Sequence, residues 1–361
     1  MISAPGGASK LARRFQAQGE SCAALGSPLY SALLARAADD IETRGPLWRA
    51  AGTLADLPGG ALASLRFMGA THRLALSGRA PALAAHYPSC GGDGDPHGAW
   101  SALLALCERS AGDEELAQLL TRGVQTNEVG RAAAMLGGFL SVARSTGLPL
   151  RLLEVGASAG LNLRWDHFHY VAGDRSWGPL GSAVEQGDVW VGDRRPELSP
   201  PMAELEIANR HGCDIDPLDP TTSEGRLTLL SFVWPDMERR LRLLDGACTV
   251  AAAVPAKVDR APADAWLLDR LASAWTGVAT VVFHSVFLQY MQTEARSRLL
   301  RTLTAAGERA TSRSPLAWLR LEPPGGLGSP DFEVRLTTWP GARELRLAAS
   351  HPHGAWVRWE A

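Results

Sequence analysis

An α/β fold with a mainly helical first half is predicted by three observations. Residues 8–147 are rich in Ala, Leu and Arg, with apolar residues three and four apart, the period of a helix. From 148 onward, short apolar runs alternate with helical stretches, the order that parallel βαβ units produce. The first of those runs, LRLLEV at 150–155, ends in a turn of small residues, Gly156-Ala157-Ser158-Ala159-Gly160.

In the first half, helices are predicted over 8–24, 28–43, 58–77, 97–109, 113–121 and 126–146, punctuated by Gly26-Ser27-Pro28, Gly45-Pro46, Pro58-Gly59-Gly60 and the glycine-rich stretch 90–96. Thr126 or Asn127 is a candidate N-cap for the last helix, with Glu128 in its first turn. Residues 1–147 therefore read as a helical domain or cap, and 148–361 as a Rossmann-like domain. In the latter, strands are predicted at 150–155, 205–208, 227–233, 250–258, 278–284 and 315–321, and helices at 235–247, 262–274 and 292–306. Residues 171–204, rich in Gly, Pro, Trp and Asp, are predicted to be an irregular insertion. FEVRLTTW, ELRLAAS and AWVRW, within 331–359, read as three short antiparallel strands at the edge of a mostly parallel sheet.

Composition narrows the function classes. The 361 residues are 46% hydrophobic and 20% charged, with a formal net charge of −2, so bulk charge supports neither nucleic acid nor an anionic membrane as partner. The five cysteines form no CxxC spacing, which points to free thiols in a reducing compartment. The N-terminus lacks an apolar signal core and no run of 18 apolar residues occurs, so a cytoplasmic protein is expected. His351 and His353 flank Pro352 without a clear third ligand, and no metal site is expected.

The turn fits two chemistries. Small residues at Gly156, Ala157, Ser158, Ala159 and Gly160 let a backbone approach a nucleotide-type cofactor, and a helix opening at Leu161-Asn162 would present its free N–H groups and positive end. The dinucleotide spacing GxGxxG fails at Leu161, whereas a GxGxG form with Ser158 in the middle suits the methionine end of S-adenosylmethionine. The same residues match GxSxG, in which Ser158 would be a nucleophile served by Asp214 or Asp216 and by His284, His351 or His353. Glu154 favours the cofactor. A carboxylate at a buried strand end needs a partner, which an ammonium-bearing sulfonium cofactor provides and an acyl-serine site does not.

A nucleoside site also needs an acid at the end of the second strand, for the ribose hydroxyls. Asp214 in GCDIDP is the first candidate and Asp216 the second, although Asp214 lies 54 positions beyond Gly160. Asp259 stands where an adenine-contacting acid would fall. His284 and Ser285 end the run VATVVFHS, where acceptor-side residues belong, and His284 is the candidate base with Glu322 in reserve. Tyr290 and Gln289 are candidate lining residues. The polar cluster Gln125, Asn127, Glu128 and Arg131 is a candidate for the substrate side.

GSPLY at 26–30, QTNEVGR at 125–131, LLEVGASAGLN at 152–162, GCDIDPLDP at 212–220, FVWPD at 232–236, FHS at 283–285 and WPG at 339–341 together resemble the bacterial domain of unknown function family 2332, over nearly the whole chain. The turn is similar to motif I of class I methyltransferases. That resemblance implies a fold of the kind that binds S-adenosylmethionine; from the turn and its acids we expect a methyltransferase whose small-molecule acceptor sits between the two regions. Two readings stand beside it: a non-catalytic binding protein that keeps the fold as scaffold, and a serine hydrolase using Ser158.

Overall fold

The computed structural model describes residues 6–58, 62–109, 114–187, 189–325 and 332–361. Residues 59–61 of the helix predicted over 58–77, residue 113 of that predicted over 113–121, and residues 188 and 331 lie outside them. The helices are α1 (Gly7–Ala24), α2 (Pro28–Glu42), α3 (Pro46–Ala51), α4 (Ala63–Leu76), α5 (Pro81–Ala84), α6 (Pro96–Arg109), α7 (Glu114–Thr121), α8 (Arg131–Thr146), α9 (Ser223–Ser231), α10 (Glu238–Ala253), α11 (Ala263–Arg270) and α12 (Thr293–Glu308). The strands are β1 (Leu150–Val155), β2 (His169–Ala172), β3 (Arg175–Trp177), β4 (Glu185–Gln186), β5 (Ile207–Asp214), β6 (Lys257–Arg260), β7 (Ala279–Ser285), β8 (Leu316–Glu322), β9 (Phe332–Trp339), β10 (Arg343–Ser350) and β11 (Val357–Trp359).

The chain divides into two compact units. One comprises the residues up to Thr126 together with Ser223–Arg242, the other Asn127–Thr222 and Leu243–Ala361. The helix α8, assigned from sequence to the helical region, thus lies with the sheet, and α9 lies with the helices.

In the helical unit, apolar positions of α1, α2 and α4 such as Phe15, Leu33 and Phe67 close around a common core that also takes in Trp234. Ser27 caps α2 by accepting the Tyr30 N–H at 3.3 Å, and Pro28 sits in the first turn, where its missing N–H costs nothing. Asp236 completes this cap: it accepts the Ser27 hydroxyl and, at 3.0 Å, the Leu29 N–H. A Cβ on Gly69 would come within 2.6 Å of the Phe232 ring, so α4 has a glycine where the 223–242 segment presses closest. The strand predicted at 227–233 is therefore not formed. Its run RLTLLSF is mostly α9, a helix that buries Thr228, Leu229 and Ser231.

The second unit is built on an eight-stranded sheet in the order β11-β10-β9-β8-β7-β1-β5-β6. The five strands β6-β5-β1-β7-β8 pair in parallel. Renumbered within that set they read 3-2-1-4-5, the Rossmann order. Strands β9, β10 and β11 add on as an antiparallel meander, as expected. Strand β1 is buried at all six positions, as a central parallel strand should be. The strand predicted at 250–258 is corrected: α10 continues through the alanines to Ala253, and after Pro255 only Lys257–Arg260 is extended. The insertion at 171–204 is not wholly irregular. With His169 and Tyr170 it forms a small sheet, β3-β2-β4. Among the described residues, no helix is long and apolar enough to cross a membrane.

Candidate functional site

In a sheet of this order the strand sequence reverses between β1 and β7, and ligands of such folds bind at the carboxyl ends there. Two loops leave the sheet at that point: 156–160 after β1 and 286–291 after β7. Each holds a non-glycine residue in the left-handed region, Ser158 at φ 52° and Val286 at φ 54°. For β-branched Val286 this is a costly conformation, and such strain persists only where surrounding contacts impose it.

Those contacts are explicit. The Val286 N–H donates to the Leu321 carbonyl at 2.8 Å. Next, Glu322 Oε1 accepts three donors: His284 Nδ1 at 2.7 Å, the Phe287 N–H at 2.8 Å and the Leu288 N–H at 3.2 Å. Burial works to raise the Glu322 pKa, but the hydrogen bonds from His284 and the two backbone donors together hold it below the usual range. His284 is fully buried, and its Nε2 accepts the Trp318 indole N–H at 3.0 Å. Both ring nitrogens are thus engaged, as a neutral Nδ1–H tautomer. Neither predicted base is arranged for proton abstraction. His284 has no open lone pair, and Glu322 is a weak base already carrying three donors. Together they brace the loop that carries Phe287, a residue the sequence reading passed over.

Phe287 covers the turn. A Cβ on Gly156, at φ +69°, would come within 2.2 Å of the Phe287 ring. The turn's own N–H groups are largely satisfied: Ala157 N–H donates to Cys213 O at 3.0 Å, Gly160 N–H to Ala157 O at 2.7 Å, and Ser158 N–H to Asp214 Oδ2 at 2.8 Å. Ala157 and Ala159 are buried within this knot. The α-helix expected after Gly160 is absent. Residues Leu161–His167 form a 3-10 turn interrupted at Arg164. The Gly160 carbonyl, which an α-helix would pair with the Arg164 N–H, instead accepts Leu163 N–H at 3.2 Å and Arg164 Nη1 at 2.7 Å.

The polar cluster at 127–131 reaches the turn, though not as a helix cap. Asn127 Oδ1 accepts the Leu161 N–H at 3.0 Å, and the Glu128 carbonyl accepts Asn162 Nδ2 at 3.1 Å. Arg131 opens α8, five residues later than Thr126, and donates to the Ser285 carbonyl at 3.3 Å and the Pro352 carbonyl at 2.8 Å. Asn127, Glu128, Arg131, Asn162 and Ser285 are thus brought together, and Gln125 belongs to the helical unit.

The acids separate into different roles. Glu154 is 3% exposed, and its Oε2 has no hydrogen-bond partner. Burial pushes its pKa well above the ordinary range; the nearby Arg164 charge opposes this and the Asp214 charge adds to it. Asp214 ends β5 beside the turn and also accepts the Asp216 N–H at 3.0 Å. Asp216 itself is exposed and paired with Arg260 at 2.6 Å. Asp259 is taken up by Trp266 Nε1 and His211 Nε2, both at 2.8 Å, and by Lys257 at 2.9 Å, so its predicted adenine contact is replaced by a clamp between β6, β5 and α11. Although burial opposes it, hydrogen bonds from Lys257 and Trp266 hold its pKa at about 2. Tyr290 is half exposed in a short 3-10 turn. Asp214 engages the backbone of Ser158 while His284 points to Trp318 and Glu322, so the serine–histidine–acid relay is not assembled through these residues. Among the described residues, no group of three or more His, Cys, Asp or Glu side chains is placed to hold a metal ion.

No curated protein and no solved structure matches the chain. The family described as an uncharacterized protein conserved in bacteria (DUF2332) matches residues 12–359, and the chain belongs to it.

Proposed function

We propose that the protein is an S-adenosylmethionine-dependent methyltransferase for a small-molecule acceptor, with the cofactor at the carboxyl ends of β1 and β5. The observation that carries this reading is the buried, unpartnered Oε2 of Glu154, two residues before the turn. A carboxylate there is costly until a cation meets it, and the cofactor's ammonium group is such a cation. Asp214, at the end of the adjacent strand, retains acceptor capacity on both oxygens for ribose hydroxyls. When bound, the cofactor supplies a methyl group activated by its sulfonium. The chain's own part is positioning: Glu154 and Asp214 fix two ends of the ligand, Phe287 excludes water above Gly156, and His284 with Glu322 holds Phe287 in place. No general base is assigned, which suits an acceptor that is already nucleophilic.

Titration calorimetry with S-adenosylmethionine and S-adenosylhomocysteine tests this. A Kd below about 1 mM, equivalent to about −4 kcal/mol, is expected for both, with at least tenfold loss in Glu154→Gln. Binding releases a proton from Glu154, so the heat depends on the buffer's ionisation enthalpy. Absence of binding by the wild-type chain would overturn the reading. The satisfied N–H groups of the turn and the Phe287 ring over Gly156 favour a second reading, a non-catalytic scaffold, and that result would select it.

A further inference from the structure

A serine–histidine pair lies in the helical unit, to which His72, Tyr87, Ser89, Ser231 and Pro235 all belong. His72, fully buried on α4, meets Ser89 from a 3-10 turn at Pro88–Cys90, with Nε2 2.7 Å from the serine Oγ. On its other side, His72 Nδ1 lies 3.1 Å from the Ser231 carbonyl. Ser89 is only half-buried, and so stands between the enclosed ring and the surface.

The two contacts fix the direction of the pair. A carbonyl oxygen can only accept, so Nδ1 carries the ring proton. Burial lowers the His72 pKa to about 4, so the ring is neutral at pH 7 and Nε2 keeps a lone pair, to which the Ser89 hydroxyl donates. Ser231 is the last residue of α9, and its carbonyl is one of those a helix leaves without an internal partner. It brings the negative end of that helix to the imidazole, at the position an acid holds in a serine–histidine–acid relay. The Tyr87 ring, edge-on with its centroid 5.5 Å from that of His72, fixes the plane of the imidazole. The Ser89 N–H donates to the Pro235 carbonyl at 2.9 Å, which ties the serine's turn to the 223–242 segment that supplies Ser231.

We propose that Ser89 is a nucleophile activated by His72, and that the pair hydrolyses activated acyl esters. Ser89 Oγ forms a bond to the acyl carbon and passes its proton to His72 Nε2. The bond to the leaving group breaks, and the proton goes to the departing oxygen. Water then attacks the acyl-serine, giving a proton to Nε2, which returns it to Ser89 Oγ as the carboxylic acid leaves. Two features set the substrate class. The N–H groups of Ser89, Cys90, Gly91 and Gly92 are engaged by the carbonyls of Pro235, Tyr87, Pro88 and Tyr87, at 2.8–3.0 Å, so none of these four is directed at an oxyanion. A ring with so low a pKa is also a weak base. Both restrict the pair to acyl groups whose leaving group departs readily, as in aryl esters, and not amides.

The test treats the full chain with p-nitrophenyl acetate and, separately, with a fluorophosphonate whose adduct is located by tandem mass spectrometry. A p-nitrophenolate burst followed by slower turnover, and an adduct on Ser89, are expected. Ser89→Ala should abolish both, and His72→Gln should slow labelling by at least about a hundredfold. A wild-type chain with neither burst nor adduct would overturn the proposal, as would wild-type labelling in both variants. An adduct on Ser158 would overturn it too, and would select the hydrolase reading of the glycine turn. Ser89→Ala removes one half-buried hydroxyl, so it remains informative if His72→Gln does not fold. The S-adenosylmethionine titration is read separately, since Glu154 and Asp214 belong to the other unit.

Discussion

Glu322 lies 2.7 Å from His284 through a carboxylate oxygen that also receives the N–H groups of Phe287 and Leu288. One side chain thus closes a loop that carries a strained valine and an aromatic cover. Glu322→Ala leaves three part-buried donors without their acceptor, at about 3 kcal/mol in total. Hydrogen exchange at the Phe287 and Leu288 amides should accelerate in that variant while the amides of β1 change less. Unchanged protection at both would show that Leu321 alone holds the loop.

The pairing of Gly156 with Phe287 yields a double-mutant prediction. Gly156→Ala meets two obstacles, a left-handed backbone and the Phe287 ring 2.2 Å from the new Cβ. The backbone part costs about 1–2 kcal/mol; the steric part adds to it. Phe287→Ala in the same chain removes only the second, so urea denaturation should show partial recovery. Full additivity of the two losses would mean that the ring moves aside freely.

Glu154 has a folded-state pKa raised above its unfolded value, so between those values the folded state binds the extra proton. Stability from this group is greatest at low pH and falls as pH rises past about 4.5, the ordinary glutamate value. Glu154→Gln should be the more stable form at pH 8 and should lack this decline. Parallel pH profiles for the two chains, measured by chemical denaturation, would mean that the carboxylate is compensated in solution.

His72 gives the opposite sign in the helical unit. It is fully buried, with Nδ1 3.1 Å from the Ser231 carbonyl and Nε2 2.7 Å from Ser89 Oγ. Burial lowers its pKa to about 4 from 6.5, against opposing hydrogen bonds to the Ser231 and Val233 backbone. The neutral ring supports folding above 6.5, and that support is lost as pH falls from 6.5 towards 4, by about 3 kcal/mol at most. His72→Gln should flatten this acid arm in helix-sensitive circular dichroism.

Periodicity and punctuation made much of this fold readable. The alternation after 148 gave the strands β7 and β8 and the helices α11 and α12 to within a few residues. The failures share a cause. RLTLLSF and the stretch at 250–258 are short apolar runs that suit a buried strand or a buried helix equally well. Packing decides them, through Gly69 against Phe232 in the first and the alanines before Pro255 in the second. At the site, Glu154 and the small residues were visible because their chemistry is local. The tie from Asp214 to Ser158 spans 56 residues, and that from Glu322 to Phe287 spans 35, so neither leaves a trace in spacing. Val286 has no sequence signal at all, since a valine is the last residue expected at positive φ.

The helical unit is interrupted in sequence: its last pieces, α9, Trp234 and Asp236, arrive about a hundred residues after Thr126. A ribosome delivering this chain in order exposes α1, α2 and α4 long before Phe232 can cover Gly69 or Asp236 can close the cap at Ser27. At roughly 5–20 residues per second, that interval lasts several seconds or more. Nascent chains ending near residue 150 should accordingly depend on a chaperone, with stable folding of the amino-terminal helices expected only once the segment through Arg242 has left the exit tunnel.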